Sequence, residues 1–187
     1  MRVIAGSARR ISLKTPKGLD TRPTTDRLKE TLFNILQYDL ADCCFLDLFA
    51  GSGGIGIEAL SRGAAQCILV DQNREAVACI RENLQVTHLT EQATVMCCDA
   101  LTALSRLEGK YCFDYIFMDP PYGMLLEQHA LAYLADSNLI RRESTRIIIE
   151  ARLDEDFAYL ESMGYKIEKK KLYKTNQHIF VYRENEK

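Results

Sequence analysis

Residues 46–56 read Leu-Asp-Leu-Phe-Ala-Gly-Ser-Gly-Gly-Ile-Gly, an apolar run that passes into closely spaced glycines. Gly51, Gly53 and Gly56 form a G-x-G-x-x-G pattern directly after a predicted strand and at the start of a predicted helix. Glycines in this context let the backbone turn sharply and approach a ligand closely. The stretch therefore predicts a strand, a ligand-binding loop and a helix, as in Rossmann-like α/β proteins.

From residue 44 onward, short apolar runs alternate with longer helical patterns. Such alternation is typical of a parallel sheet with helices on both faces. The predicted strands are 44–49, 67–70, 94–98, 115–118, 146–150, 165–170 and 178–182, and the predicted helices are 55–61, 74–87, 100–107, 125–137 and 155–162. The last two strands are separated by too few residues for a parallel crossover, so we expect them to form an antiparallel hairpin.

The chain before the sheet predicts a small β-hairpin around residues 7–10, followed by a helix. The helix has an N-cap at Thr24 or Thr25 and an apolar face made of Leu28, Leu32, Ile35 and Leu36. We expect a single domain over 1–187, with a basic, RNA-facing hairpin and helix at 1–42 and a cofactor-binding catalytic core at 43–187.

Composition excludes several classes of protein. Hydrophobic residues make up 47% and charged residues 27% of the chain, which excludes disordered and fibrous proteins. No apolar run reaches the length of a membrane span, and the N-terminus does not resemble a signal peptide, so we expect a cytoplasmic protein.

The charge is unevenly distributed, because residues 1–30 hold eight Lys and Arg against three Asp and Glu, whereas the whole chain has a net charge of −2. This basic segment is either a solvated surface or a contact for nucleic-acid phosphates. We favour RNA contact, and the candidate residues are Arg9, Arg10, Arg22 and Arg27.

Carboxylates lie at or near the carboxyl ends of the first three predicted strands. Asp71 ends the second strand twenty residues after Gly51, where it can accept hydrogen bonds from ribose hydroxyls. This fits a nicotinamide dinucleotide as well as S-adenosylmethionine. Asp47 favours S-adenosylmethionine, because a carboxylate there suits a cationic amino-acid group and repels a pyrophosphate. Asp99 is either an acceptor for an adenine amine or a helix N-cap.

The fourth predicted strand runs into Asp119-Pro120-Pro121-Tyr122, which we call the tetrad. The prolines remove two N–H donors and leave carbonyl oxygens and a carboxylate as acceptors. Acceptors held against a planar exocyclic amine orient its lone pair toward a methyl donor, and the Tyr122 ring can stack on the base. The tetrad is either a rigid turn or an amine-binding catalytic site, and its place after this strand favours the site.

The glycine pattern and the tetrad together resemble those of S-adenosylmethionine-dependent amino-methyltransferases. A closer resemblance, to the RsmD family, spans nearly the whole chain and is carried by residues 2–6, 22–27, 46–53, 56–63 and the tetrad. That family methylates guanine N2 in small-subunit ribosomal RNA. The chain departs from the family at Asp71, where glutamate is common, and the shorter carboxylate should still reach a ribose.

The resemblance implies the seven-stranded class I methyltransferase sheet and a guanine in the head of the small ribosomal subunit as target. We expect a cytoplasmic monomer that acts on ribosomal RNA in the small subunit or in an assembly intermediate. The expected catalytic residues are those of the tetrad, and the expected cofactor-binding residues are Asp47, Phe49, Ala50, Gly51, Gly53, Asp71, Gln72, Asp99 and Ala100.

Other functions account for fewer of these features. Methylation of adenine N6 or of a protein glutamine uses a similar tetrad. An NAD-dependent oxidoreductase would account only for the glycine loop and Asp71. A noncatalytic RNA-binding module would account only for the basic segment. The three histidines lack metal-ligand spacing and are expected to be exposed or partly buried, and no metal is expected. The cysteines lack a C-x-x-C pattern, and most lie in or beside apolar runs, which predicts reduced, buried thiols.

Overall fold

The computed structural model describes residues 1–16, 26–36 and 40–185. Helices and strands alternate along them and form an α/β fold with a seven-stranded mixed sheet, as the sequence predicts. The helices are α1 (Asp26–Leu36), α2 (Gly54–Ser61), α3 (Arg74–Thr87), α4 (Ala100–Leu107), α5 (Leu126–Ala135) and α6 (Tyr159–Ser162), with a 3-10 helix at Thr90–Gln92. The strands are β1 (Cys44–Asp47), β2 (Gln66–Asp71), β3 (Ala93–Cys97), β4 (Tyr115–Met118), β5 (Arg146–Arg152), β6 (Tyr165–Leu172) and β7 (Asn176–Arg183). No described helix is long and apolar enough to cross a membrane.

The chain divides into two compact units, Met1–Asp99 and Ala100–Lys187. In the first unit, β1, β2 and β3 pair in parallel, with β2 in the middle. Helix α2 packs against β1 and β2, and α3 packs against β2 and β3. The central residues of β1 and β2 are buried apolar side chains, as expected for parallel strands covered on both faces. Parallel strands end at one edge, so the turns after β1 and β2 share the edge where α/β proteins bind ligands.

The N-terminal segment forms the predicted hairpin. The Val3 N–H donates to the Ile11 carbonyl and the Arg10 N–H donates to the Val3 carbonyl, both over 2.9 Å. An antiparallel bridge joins Arg2 to Ser12. The hairpin belongs to the first unit, and its backbone pairing confirms the prediction made from residues 1–13.

The hairpin lies directly on the C-terminal end of α2. Gly6 has φ +83°, and a Cβ at this position would lie 1.6 Å from the carbonyl oxygen of Ser61, so only glycine fits there. The Ser7 N–H donates to that carbonyl over 2.8 Å, and the Ser61 hydroxyl donates to the Ala5 carbonyl over 2.6 Å. The position of the hairpin is therefore set by the last turn of α2.

A buried carboxylate on α2 also binds the backbone of this hairpin. Glu58 accepts hydrogen bonds from the backbone N–H groups of Ile4 and Ala5, at 2.8 and 3.0 Å. It also forms ion pairs with Lys29 on α1 and with Arg62, at 3.1 and 2.8 Å, and the Lys29 and Glu58 side chains are wholly buried. Burial lowers the pKa of Lys29, and the Glu58 charge opposes this shift.

The apolar face of α1 is shifted slightly from the predicted one. Leu32 and Leu36 are buried, as expected, and the other two predicted positions are partly exposed. Phe33 is wholly buried in their place and stacks on a phenylalanine of β1. The two candidate N-cap residues, Thr24 and Thr25, lie outside the described residues.

The second unit contains the other four strands in the order β4-β5-β7-β6. Strands β4 and β5 are parallel, whereas β7 is antiparallel to both β5 and β6. The turn between β6 and β7 is closed by the Tyr173 N–H, which donates to the Asn176 carbonyl over 2.9 Å. The predicted C-terminal hairpin is thus confirmed, with β7 next to β5 and β6 paired to β7.

The helix predicted over 155–162 is shorter than expected, because α6 begins only at Tyr159. The Asp156 carboxylate accepts a hydrogen bond from the Ala158 N–H over 3.1 Å. An aspartate that bonds the backbone two residues ahead offers the chain a turn in place of a helix.

We expect Glu58→Gln to lower the free energy of unfolding by about 3 to 5 kcal/mol, because it leaves the buried Lys29 ammonium without its counter-charge. Urea unfolding followed by circular dichroism measures the change. Glu82→Gln is the control, since it breaks an exposed ion pair with Lys14 and should leave the unfolding midpoint near the parent's. Equal effects of the two substitutions would show that the buried pair has no special role.

Candidate active site

The glycine loop, residues 48–53, leaves the end of β1 in a tight turn. The Ala50 N–H donates to the Val70 carbonyl over 2.8 Å, and the Gly53 N–H donates to the Ala50 carbonyl over 2.7 Å. These bonds end β1 two residues earlier than predicted. Gly51 has φ +56°, and a Cβ there would meet no described atom within 4 Å. The loop thus exposes backbone beside open space, as close approach of a ligand requires.

Asp71 holds the glycine loop through its carboxylate. One oxygen accepts from the Gly51 N–H over 2.8 Å, and the other accepts from the Asn73 N–H over 2.8 Å. Asp71 is partly exposed, and each carboxylate oxygen has a second lone pair. The residue is therefore able to order the loop and still accept hydrogen bonds from a ligand's hydroxyl groups.

Asp47 ends β1 and is 1% exposed. Its Oδ2 accepts from the Gly56 N–H over 3.0 Å, whereas its Oδ1 has no hydrogen-bond partner among the described residues. Burial raises the pKa of Asp47 to about 7, and the nearby Asp71 charge adds to the shift against the effect of the Gly56 hydrogen bond. A buried acceptor of this kind fits a cationic ligand group, because a cation would stabilise the ionised carboxylate.

The other predicted cofactor residues lie at the ends of the same strands. Ala50 is buried, Phe49 is partly exposed, and Gln72 is exposed directly after β2. Asp99 is exposed and comes just before Ala100, the first residue of α4. Asp99 therefore lies at the N-cap position, and its role toward an adenine stays a prediction.

Asn83 is a contact of the glycine loop that the sequence did not reveal. This wholly buried side chain on α3 donates to the Ser52 carbonyl over 2.8 Å. It also donates to the Lys14 carbonyl over 3.0 Å and accepts from the Lys14 N–H over 2.8 Å. Asn83 thus ties the chain after the hairpin to the glycine loop. The one sequence signal is a polar residue on the buried face of an amphipathic helix.

The tetrad follows β4 in the second unit. Pro120 is buried, Asp119 is partly exposed, and Pro121 and Tyr122 are exposed. Partial burial is the main cause that raises the pKa of Tyr122, and the negative charges of Asp119 and Glu150 raise it further. The Tyr122 hydroxyl therefore stays neutral near pH 7. The half-exposed ring is available for stacking.

A buried polar chain lies beside the tetrad and was missed from the sequence. The carboxylate of Glu150 on β5 accepts a hydrogen bond from the Asn176 side-chain amide. Its other oxygen is hydrogen-bonded to Nε2 of His178, at 3.1 Å. Nδ1 of His178 is 2.9 Å from the Tyr173 hydroxyl, and burial raises the pKa of Tyr173 to about 12. His178 is wholly buried, so its predicted partial exposure is wrong. It pairs with Glu150 across neighbouring strands, which no local pattern shows.

The predicted RNA-contacting arginines are exposed wherever the structure describes them. Arg9 and Arg10 lie in the turn of the N-terminal hairpin, and neither forms an ion pair with another described residue. Arg27 is exposed near the start of α1. Arg22 lies outside the described residues.

The cysteines only partly follow the prediction of buried thiols. Cys43, Cys67 and Cys79 are buried, but Cys97 is exposed, and the prediction is wrong there. Cys97 ends β3, which pairs only with β2 among the described strands of the first unit. Within the described ranges, no three His, Cys, Asp or Glu side chains come together as metal ligands.

Comparison with protein families tests the resemblance. A family described as "Conserved hypothetical protein 95" matches residues 1–183, nearly the whole chain. The chain belongs to this family, the RsmD family. The resemblance seen in the sequence is therefore confirmed.

Several members of the RsmD family are similar over most of their length. The Bacillus subtilis protein YlbH, provisionally named an rRNA methyltransferase, is 42% identical over 88% of each chain. The Escherichia coli protein named ribosomal RNA small subunit methyltransferase D is 39% identical over 77% of this chain and 74% of its own. The solved structure of Escherichia coli YhhF, provisionally named a methyltransferase, is 31% identical and superimposes with a TM-score of 0.83 over 100% of this chain and 99% of its own. The Rossmann-like class I methyltransferase fold is thereby confirmed.

We expect affinity for S-adenosylmethionine to rise as pH increases through about 7, because the cationic ligand needs Asp47 ionised. Without ligand, the folded-state pKa of Asp47 lies above the unfolded value of about 4, so the contribution of Asp47 to the stability of the fold falls as pH rises from about 4 to 7. Calorimetric titrations between pH 6 and 8 measure the affinity. Asp47→Asn should bind more weakly and without this pH dependence, and a variant that keeps the parent's pH profile would contradict the assignment.

Proposed function

We propose that this protein transfers a methyl group from S-adenosylmethionine to the exocyclic N2 amine of a guanine in small-subunit ribosomal RNA. RNA methylation in general is supported by the names of its relatives in the RsmD family. The observation that carries the proposal is the presence in one chain of a buried, half-satisfied carboxylate under a glycine loop and an Asp-Pro-Pro-Tyr tetrad after β4.

The first unit supplies the residues for the cofactor. When bound, S-adenosylmethionine provides an electrophilic methyl group on a sulfonium. Asp47 faces the cationic part, where its unsatisfied Oδ1 gains a counter-charge, and a dinucleotide's pyrophosphate would be repelled there. Asp71 accepts from the ribose hydroxyls, and the backbone at Gly51 and Gly53 lets the ligand approach. Phe49, Ala50, Gln72 and Asp99 complete the proposed contacts of this unit, and Ala100, the next residue along the chain, is the remaining predicted contact.

The tetrad supplies the residues for the base. The Asp119 carboxylate and the Pro120 carbonyl accept the two N–H groups of the amine, which directs the nitrogen lone pair to the methyl group. Tyr122 stacks on the base, and Pro121 holds the turn. The nitrogen would form a bond to the methyl carbon as the carbon–sulfur bond breaks and S-adenosylhomocysteine leaves. The methylated nitrogen, which is acidic, would then release its proton to water, so Asp119 need not act as a strong base. Attack through a cysteine is not proposed, because neither the tetrad nor the glycine loop contains one.

RNA is bound in part by the basic N-terminal segment. Arg9, Arg10, Arg22 and Arg27 contact phosphates, which supply affinity without reading the sequence. We propose a cytoplasmic monomer with one functional domain, in which segment 1–42 faces RNA and 43–187 forms the catalytic core. The substrate is the small subunit or its assembly intermediate.

The direct test uses small ribosomal subunits that lack the modification. The parent protein and labelled S-adenosylmethionine should yield labelled N2-methylguanosine after digestion of the RNA to nucleosides. Labelled N6-methyladenosine would replace guanine with adenine as the target base. An absence of label in RNA, with cofactor binding intact, would contradict the proposed activity.

Asp119→Ala should lower the rate of methyl transfer by about a hundredfold or more while leaving cofactor affinity nearly unchanged, because it removes an acceptor that orients the amine. Asp119→Asn is the matched control, since its amide oxygen still accepts an N–H, and it should lose less. Single-turnover rates measure the effect. If the alanine variant methylates at the parent rate, the tetrad is only a structural turn.

A further inference from the structure

Strand β6 and the turn after it carry an unusual excess of positive charge. Residues 165–175 contain five lysines and one acidic residue, Glu168, within a chain whose net charge is negative. Glu168 is already paired with Arg146 at 2.8 Å, and Lys166 is paired with Glu184 at 3.2 Å. The remaining lysines form no ion pair with any described residue, and we call them the lysine edge: Lys169, Lys170, Lys171 and Lys174.

The end of β6 that carries Lys171 lies at the same edge of the sheet as the carboxyl end of β4, where the tetrad begins. In the strand register, Met118 of β4 is opposite Ile149 of β5, and the next residue, Glu150, is opposite His178 of β7. His178 is in turn opposite Lys171 of β6. Because neighbouring strands are about 4.8 Å apart, Lys171 is about 14 Å from the end of β4.

The lysine side chains are accessible. Lys169, Lys170 and Lys174 are exposed, and Lys171 is partly exposed. Only β7 pairs with β6 among the described strands, so β6 presents its other side as an open edge. Long, flexible ammonium side chains on such an edge reach a polyanion that passes along it.

We propose that the lysine edge binds backbone phosphates of the RNA next to the target base, as a contact surface separate from the N-terminal arginines. The inference rests on the proposed function, because it takes ribosomal RNA as the polyanion. None of the four ammonium groups of the lysine edge is paired with a described carboxylate, and Lys171 and Lys174 lie at the end of the sheet from which the tetrad emerges. The four lysines would hold the flanking strand while the tetrad holds the base.

Protection of an open sheet edge against aggregation also favours lysine on edge strands. Two observations limit that explanation. A register shift between Ile167 and Lys169 already interrupts the edge. Lys174 lies in the turn beyond β6, where there is no strand edge to protect.

The test compares two variants that lose the same charge. The first is Lys169→Gln, Lys170→Gln and Lys174→Gln, which leaves the partly buried Lys171 in place. The control is Arg81→Gln, Arg106→Gln and Lys110→Gln, all exposed and outside the proposed sites. Binding to deproteinised small-subunit ribosomal RNA is measured by fluorescence anisotropy over a series of salt concentrations.

The lysine variant should bind at least tenfold more weakly near 100 mM salt. Its slope of log affinity against log salt should flatten by about 2, since each lost contact to single-stranded RNA removes about 0.7. The control should keep a slope close to the parent's. The inference would be overturned if the lysine variant kept the parent's salt slope, or if the control variant flattened the slope equally. It would also be overturned if the lysine variant aggregated but bound RNA with the parent's affinity. Loss of binding to whole subunits alone would also overturn it, by identifying a ribosomal protein as the partner.

Binding and catalysis are measured separately, so the two proposals fail independently. A parent protein that binds RNA with a lysine-dependent slope but methylates nothing would contradict only the proposed function. A parent that forms N2-methylguanosine, with a lysine variant of unchanged slope, would contradict only the role of the lysine edge.

Discussion

The buried carboxylate of Asp47 is the constraint on which the glycine loop depends. Its hydrogen bond to the Gly56 N–H joins the end of β1 to the first turn of α2, so the loop between them has little freedom. Burial of a carboxylate with one unsatisfied oxygen destabilises the charged form, which raises its pKa to about 7. The loop therefore surrounds the Asp47 carboxylate, whose ionised form a bound cation would stabilise. The burial of Asp47 destabilises the fold without ligand, and a cationic ligand would remove part of that destabilisation, so the same residue favours cationic ligands.

Helix α2 connects that site to the N-terminal hairpin, because polar bonds fasten the helix along its length. Gly56 in the first turn bonds to Asp47, Glu58 bonds to the backbone of the hairpin, and Ser61 bonds to the turn around Gly6. Asn83 adds a second connection, from the end of the hairpin segment to the glycine loop. A helix held at both ends cannot shift without moving both regions. The hairpin and the loop are thus parts of one rigid arrangement within the first unit.

The sequence predicted the fold well because its signals are local. Apolar runs, helical periodicity and the glycine pattern each extend over a few residues, and they located every strand to within about two residues. The buried contacts were not predictable in this way. Lys29 and Glu58 are 29 positions apart, and Glu150 and His178 are 28 apart, so nothing in either local pattern names the partner. The tetrad was recognisable because its chemistry lies within four consecutive residues. The exposure of Cys97 was missed because it depends on how many neighbours β3 has.

The distribution of charge supports the proposal that one acidic chain binds both a cation and a polyanion. The carboxylates of Asp47 and Glu150 are buried, and that of Asp71 is held by hydrogen bonds. By contrast, the two arginines in the hairpin turn and the lysine edge are exposed or partly exposed and form no ion pair with a described residue. In the second unit, three strand spacings separate the lysine edge from the end of β4, about 14 Å. This exceeds the Debye length of about 10 Å at 0.1 M salt, so salt largely screens the Lys171 charge from exposed groups at the end of β4. In the proposed complex, each lysine acts on the phosphate it meets, and the carboxylate of the tetrad accepts a hydrogen bond from the amine.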